Sequence, residues 1–219
     1  GNPTTKPVYD RAIPKDVTAK SVLENYIKTI GGEKALKDVK TLMTVSSGTF
    51  NGAPVELTSK VTTTHKQMRE LKVMGMSMMR QVINDKGGFI IQQGQRKDIT
   101  GDDLAKLRAY AVPFDELQLV DKAGVVLKGI EIYNDNDTYV IQDGKTTLYY
   151  DVKTGLKVAE TRSMEMGGRE ISQTSNFSDY RDVNGIKIPY VINLNFGIEI
   201  LLTTTDIKLN DGVSDKDFE

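Results

Sequence analysis

Hydrophobic positions in this chain change period once, near Lys40. Upstream of it, Val22, Leu23, Tyr26, Ile27 and Ile30 recur every three or four residues, which places them on one face of a helix. Thr18 stands where an N-cap belongs, and Gly31-Gly32 stops the run. A second short helix over 33–38 turns Leu36 inward. Downstream the period is two. Segments 41–50 and 53–64 flank Asn51-Gly52, a two-residue hairpin turn, and 66–84 forms one or two further strands. The turn at 85–88 leads into a strand over 89–93, and Gln93-Gly94 turns the chain again toward Ile99.

Only 101–120 breaks the series. Residues 102–110 suit a helix with Leu104 and Leu107 inward, and Pro113 opens a second short one through Leu117. Strands then resume at 124–133, 138–142, 146–151, 156–163, 170–180, 186–196 and 198–209. Turn signals separate them at Asp143-Gly144, 151–155, 166–169 and Asn184-Gly185. Alternation along most of these strands leaves one sheet face solvated. The apolar clusters 125–127 and 198–202 predict positions covered on both faces. Three prolines in 2–15 mark an extended lead-in. The pattern therefore predicts an α+β protein that is mainly antiparallel β. A lead-in at 1–16 precedes one domain at 17–219, with a short helical lid near 101–119. The domain is a strongly curved meander sheet, a half-barrel wrapped around the N-terminal helix.

Composition narrows the classes. A chain of 219 residues with 38% apolar side chains has room for a core without staples, and it has no cysteine, which excludes thiolate chemistry and Cys-ligated metals. Net charge is −1 with both signs mixed along the chain, so no basic footprint for nucleic acid is present. No apolar run reaches the length of a transmembrane helix. No signal-peptide pattern is visible, as in a mature form, a cytoplasmic protein or a piece of a longer one; Gly1 reads as a processing scar.

Candidate chemistry is sparse. His65 is the one histidine; placed in a strand, it reads as a surface or satisfied side chain. Neither the H-x-x-E-H zinc-peptidase element nor a G-x-S-x-G elbow, P-loop or G-x-G-x-x-G loop occurs. Asp102-Asp103, Asp135 and Asp137 read as solvated turn carboxylates, so no metal and no cofactor is expected. The one oddity is that five of the eight methionines fall between 68 and 79. Read as a strand, Met74, Met76 and Met78 share a face with Lys72 and Arg80 at its ends and Val82 beyond. Methionines adapt to irregular partners. They either fill the concave side of the sheet or line a binding cavity.

Several segments resemble a known pattern in family order. Residues 13–42 resemble the join leading into the C-terminal, non-peptidase domain of bacterial insulinase-type zinc proteases. Tyr149-Tyr150-Asp151, Thr154-Gly155-Leu156, Asp179-Tyr180-Arg181 and Pro189 resemble that domain and the outer-membrane lipoprotein-carrier (LolA-like) proteins. The chain departs at His65-Lys66, where many relatives carry proline, and it has no tryptophan. The resemblance implies a LolA-like half-barrel in a periplasmic or envelope setting, without catalysis of its own. The partner would be an upstream peptidase domain or, for a stand-alone carrier, lipid or acyl chains held between sheet and lid. Met74, Met76, Met78, Val82, Leu104 and Leu107 are the candidate cavity-lining residues.

Overall fold

The computed structural model describes residues 11–166 and 168–219, the side chains of 164–166 excepted. Part of the expected lead-in and part of the turn at 166–169 lie outside these residues. Helix α1 (Ala19–Ile30) starts where expected, with Thr18 and Ser21 capping each other's backbone N–H. Its buried face is Val22, Leu23, Tyr26, Ile27 and Ile30, and α2 (Glu33–Lys37) follows with Leu36 buried.

Six strands run out as one meander: β1 (Thr41–Phe50), β2 (Ala53–Thr62), β3 (Gln67–Val73), β4 (Met76–Asn84), β5 (Gly87–Gln92) and β6 (Gln95–Ile99). Helices α3 (Gly101–Ala109) and α4 (Glu116–Leu119) carry the chain to a second meander. This comprises β7 (Val126–Tyr133), β8 (Asn136–Asp143), β9 (Thr146–Asp151), β10 (Lys157–Met166), β11 (Arg169–Val183), β12 (Ile186–Asn195) and β13 (Glu199–Leu209). Pairing of β1 with β13 joins the meanders into one 13-stranded antiparallel sheet whose free edges are β6 and β7. Three consecutive charged side chains, Arg96, Lys97 and Asp98, stand exposed on β6 and discourage pairing with another chain.

The sheet has a helical end and an open end. Successive turns alternate between them, so the hairpins at 51–52, 74–75, 93–94 and 196–198 gather at the open end. The turns at 63–66, 152–155 and 184–185 gather at the other. There Gly155 lies against Asn25 and Thr29 of α1, and Gly31 against Gly185 and Ile186. Across the sheet, register defines the inner face. Ile186 and Ile188 of β12 pack with α1, and Leu194 on the same face pairs with Ile200. The face continues through Ser46 opposite Leu57, Leu57 opposite Leu71 and Ser59 opposite Arg69. The outer face of β3–β5 carries Met68, Val82 and Phe89, covered by Phe218 from a C-terminal 3₁₀ turn (Asp215–Phe218). Lys60 holds that turn by donating to Asp217 at 2.9 Å.

Four expectations change. Residues 66–84 contain a hairpin, and Met74-Gly75 is its turn, with φ of 52° and 79°. Positive φ at both central residues is the twist-matched geometry for a two-residue loop; glycine tolerates it and methionine does so under strain. The shared face of Met74, Met76 and Met78 is thereby lost. His65 sits in the β2–β3 turn at φ 62°, not in a strand, its Nδ1 2.7 Å from the Arg108 carbonyl oxygen. Pro113 does not open a helix; α4 begins at Glu116, which it carries into the interior. The clusters at 125–127 and 198–202 are not covered on both faces, because Val126, Ile198 and Leu201 are exposed.

Candidate functional site

The interior of the curved sheet is layered along the strands. At the helical end, α1 fills it against Ile141, Leu148, Tyr150, Ile186 and Ile188. At the open end a second apolar cluster, Val55, Leu57, Leu194, Ile200 and Leu202, is buried with Phe50, Leu71, Val73 and Ile192 packed against it. Every member of that cluster belongs to a strand. Among the described residues, what shields this wall is the curl of the sheet itself.

Between the two lies a belt of buried charge. A bulge between Lys157 and Ala159 sets it up: the extra residue turns Lys157 to the inner face with Glu160 and Arg162, opposite Tyr150, Leu148 and Thr146 respectively. From α4, Glu116 is only 2% exposed. It accepts from Lys157 Nζ at 2.6 Å and from the Tyr150 hydroxyl at 3.0 Å. Tyr180 donates to the Lys157 carbonyl oxygen at 2.7 Å, and its hydroxyl is 3.5 Å from that of Tyr26. Arg162 donates through Nε to Glu160 at 2.8 Å, reaches Asp115 at 3.6 Å, and stacks 4.2 Å over the Tyr110 ring. Tyr110 in turn donates to Asp143 at 2.6 Å, where Lys122 also binds.

Burial and mutual fields govern these groups. Burial works to strip Lys157 of its proton, but Glu116, Glu160 and Asp115 more than offset this and raise its pKa. Burial likewise opposes ionisation of Glu160, while Arg162 and Lys157 hold it below the usual carboxylate range. Asp115 differs. Burial pushes it up to about 7 against the pull of Arg162, with Glu160 adding to the rise, and its Oδ1 has no hydrogen-bond partner among the described residues. The hydroxyls of Tyr26 and Tyr150 are raised well above the ordinary range by burial and stay protonated donors.

One more cation reaches this space from the far wall. Arg69 on β3 stands six steps from β10 in the strand order. That is roughly 29 Å along the sheet at about 4.8 Å per strand. Yet Arg69 feels the charges of Arg162 and Glu160, which places β3 and β10 facing each other across the curl. Burial lowers the Arg69 pKa, Arg162 adds to the fall and Glu160 opposes it.

Two clefts open at the helical end. One of about 350 Å³ lies between α2, the β2–β3 turn and the α3–α4 connection, walled by Leu36, Val39, Val112, Phe114 and Leu117. The other, about 210 Å³, runs beside the start of α1 along Val22, Tyr139 and Tyr150.

The candidate lining residues do not come together. Met74 and Met76 are 69% and 66% exposed at the open-end hairpin, and Met78 is half-buried on β4. Val82 is fully buried, but on the outer face under Phe218. Leu104 and Leu107 lie on α3, half-buried. Leu104 presses on the inner face at Gly88, where a Cβ would come within 2.8 Å of its Cδ1. The belt was missed by sequence reasoning. Its signal was a charge on the apolar parity of a strand, as Arg69 shares the face of Leu71 and Val73. For Glu116, inside an ordinary amphipathic run, there was none.

The fold has counterparts among solved structures. The chain is similar to a LolA superfamily protein from Nitrosomonas europaea, with a TM-score of 0.56 at 15% identity over 93% of this chain and 98% of that one. It is also similar to a DUF1329 family protein from Desulfovibrio piger, with a TM-score of 0.53 at 12% identity over 92% of this chain and 97% of the other. No protein-family model matches the chain, and no curated protein matches it. At these identities the likeness is one of architecture: an open, curved antiparallel sheet with few helices, as in LolA-like folds.

Proposed function

We propose that the chain is a non-catalytic binding protein that holds an acyl chain, of a lipid or a lipoprotein, against the inner face of its sheet in an envelope or periplasmic setting. The carrying observation is the helix-free apolar wall of Val55, Leu57, Leu194, Ile200 and Leu202. Residues of this kind contribute about 1.5–3 kcal/mol each when buried. A guest chain keeps that burial by replacing one apolar partner with another, so opening the curl around it forfeits little. Around α1 no such exchange is open, because the helix is covalently part of the fold. Likeness to the LolA superfamily protein supports the same reading.

Native mass spectrometry of the purified chain, with titration of a fluorescent fatty acid, tests it. Co-purifying lipid or saturable uptake is expected, and Leu202→Glu should abolish uptake. Absence of both lipid and uptake in the folded protein would sink the carrier reading. An attached peptidase domain is a separate matter, resting on the sequence resemblance alone. Reading the encoding frame upstream for H-x-x-E-H decides it.

A further inference from the structure

Among the described residues, Arg69 is an interior cation with no ion pair or hydrogen bond of its own, attracted only at longer range by Glu160. Lys157 is bound by Glu116, and Arg162 by Glu160 and Asp115. Arg69 faces Ser59 on β2 and Gln81 on β4, neither of which carries charge. Among the described residues, no ion pair or hydrogen bond reaches its side chain. Leaving a half-buried guanidinium unpaired costs free energy that an arriving anion would recover. Toward the open end the same face of β3 continues as Leu71 and Val73, and Leu71 pairs with Leu57 of the apolar wall. A charged fork and an apolar wall thus stand head to tail along one strand.

We propose that the interior selects amphiphiles with an anionic head group, a carboxylate or a phosphate, gripped by Arg69 while the chain lies on Leu57, Leu71, Leu194, Ile200 and Leu202. This rests on the carrier reading and specifies its ligand class. The planar guanidinium presents paired donors that match either head group. Arg162 adds a second positive field from the opposite wall, partly cancelled by Glu160. The unpartnered Oδ1 of Asp115 gives a place for a proton rather than a negative charge as the pH falls.

Matched probes test it: a long-chain fatty acid, its uncharged alcohol, acetate and inorganic phosphate, each displacing a fluorescent fatty acid from the wild-type chain and from Arg69→Gln and Arg69→Lys. In wild type the acid should bind about 10- to 100-fold more tightly than the alcohol, the range of a charge-assisted contact. Arg69→Gln should bring the acid down to the alcohol's affinity without moving the alcohol, and Arg69→Lys should restore part of the preference. Equal binding of acid and alcohol by wild type would overturn the proposal, and that measurement needs no variant. So would a preference that survives in Arg69→Gln. Displacement by acetate or phosphate at matching concentration would mark a small-anion site and overturn the amphiphile class. If neither acid nor alcohol binds, the carrier reading falls with it, an outcome distinct from loss of the preference alone.

Discussion

The two ends of the interior bury apolar residues by different means. At the helical end, α1 brings Leu23 and Ile30 into Leu148, Tyr150 and Ile186, so helix and sheet interlock. At the open end, Leu57, Leu194 and Leu202 are buried too, yet among the described residues only other strands cover them. Both ends use the same alternation on the same sheet. The difference teaches that burial alone does not distinguish a permanent core from a closable wall. The origin of the covering atoms does. A belt of ion pairs stands at the boundary, and each partner there depends on the others.

Breaking the boundary should have the largest effect. Lys157→Met leaves Glu116 buried without its cation. It is expected to destabilise the protein by about 3–5 kcal/mol, read as a shift of the urea midpoint at unchanged slope. Next comes a direct contrast of the two ends. Leu23→Ala leaves a cavity framed by interlocked helix and sheet, at a cost of about 3–4 kcal/mol. Leu202→Ala should cost about 2–3 kcal/mol, because the curl can close on the gap. Equal losses in the two variants would erase the distinction between core and wall.

A smaller effect should appear with pH. The native pKa of Asp115, about 7, lies above the ordinary carboxylate value of an unfolded chain. The native state therefore holds a proton there that the unfolded state has released. Stability from this group is fully present below the unfolded-state pKa, about 4, and is lost as the pH rises from there through about 7. Asp115→Asn should flatten that part of the stability–pH curve, and identical slopes in variant and wild type would remove Asp115 from the account. Smallest of all, Met74→Asn places a residue suited to positive φ in the open-end hairpin. It should raise stability by about 1 kcal/mol without altering ligand uptake. Lost uptake would instead bring the methionine tip into the site.

How much of this was legible follows from the kind of signal each element carries. Helix α1 announced itself through spacing, cap and glycine stop, all local. Asn51-Gly52 and Asn184-Gly185 announced hairpins because positive φ selects those residues. Met74-Gly75 adopts the same geometry, but methionine is no turn signal, so the hairpin passed for a strand and its residues for a lining. Arg69 could have been noticed as a charge among inward apolar positions. The rest of the belt could not, since a bulge moved Lys157 from one face to the other.

From the sequence alone came most of the elements and their order, the antiparallel hairpin pairing and the N-terminal helix, because capping, turn conformation and alternation act within a few residues. Tertiary structure alone decided the pairing of β1 with β13, the curl that brings β3 to face β10, and the passage of α4 through the interior. Those contacts join residues tens of positions to well over a hundred apart, from Tyr150 and Glu116 at 34 to Ser46 and Thr204 at 158, and no local periodicity encodes such a distance. The candidate site consists of such contacts: a guanidinium from one meander, ion pairs from the other, and an apolar wall that exists only where the sheet closes on itself.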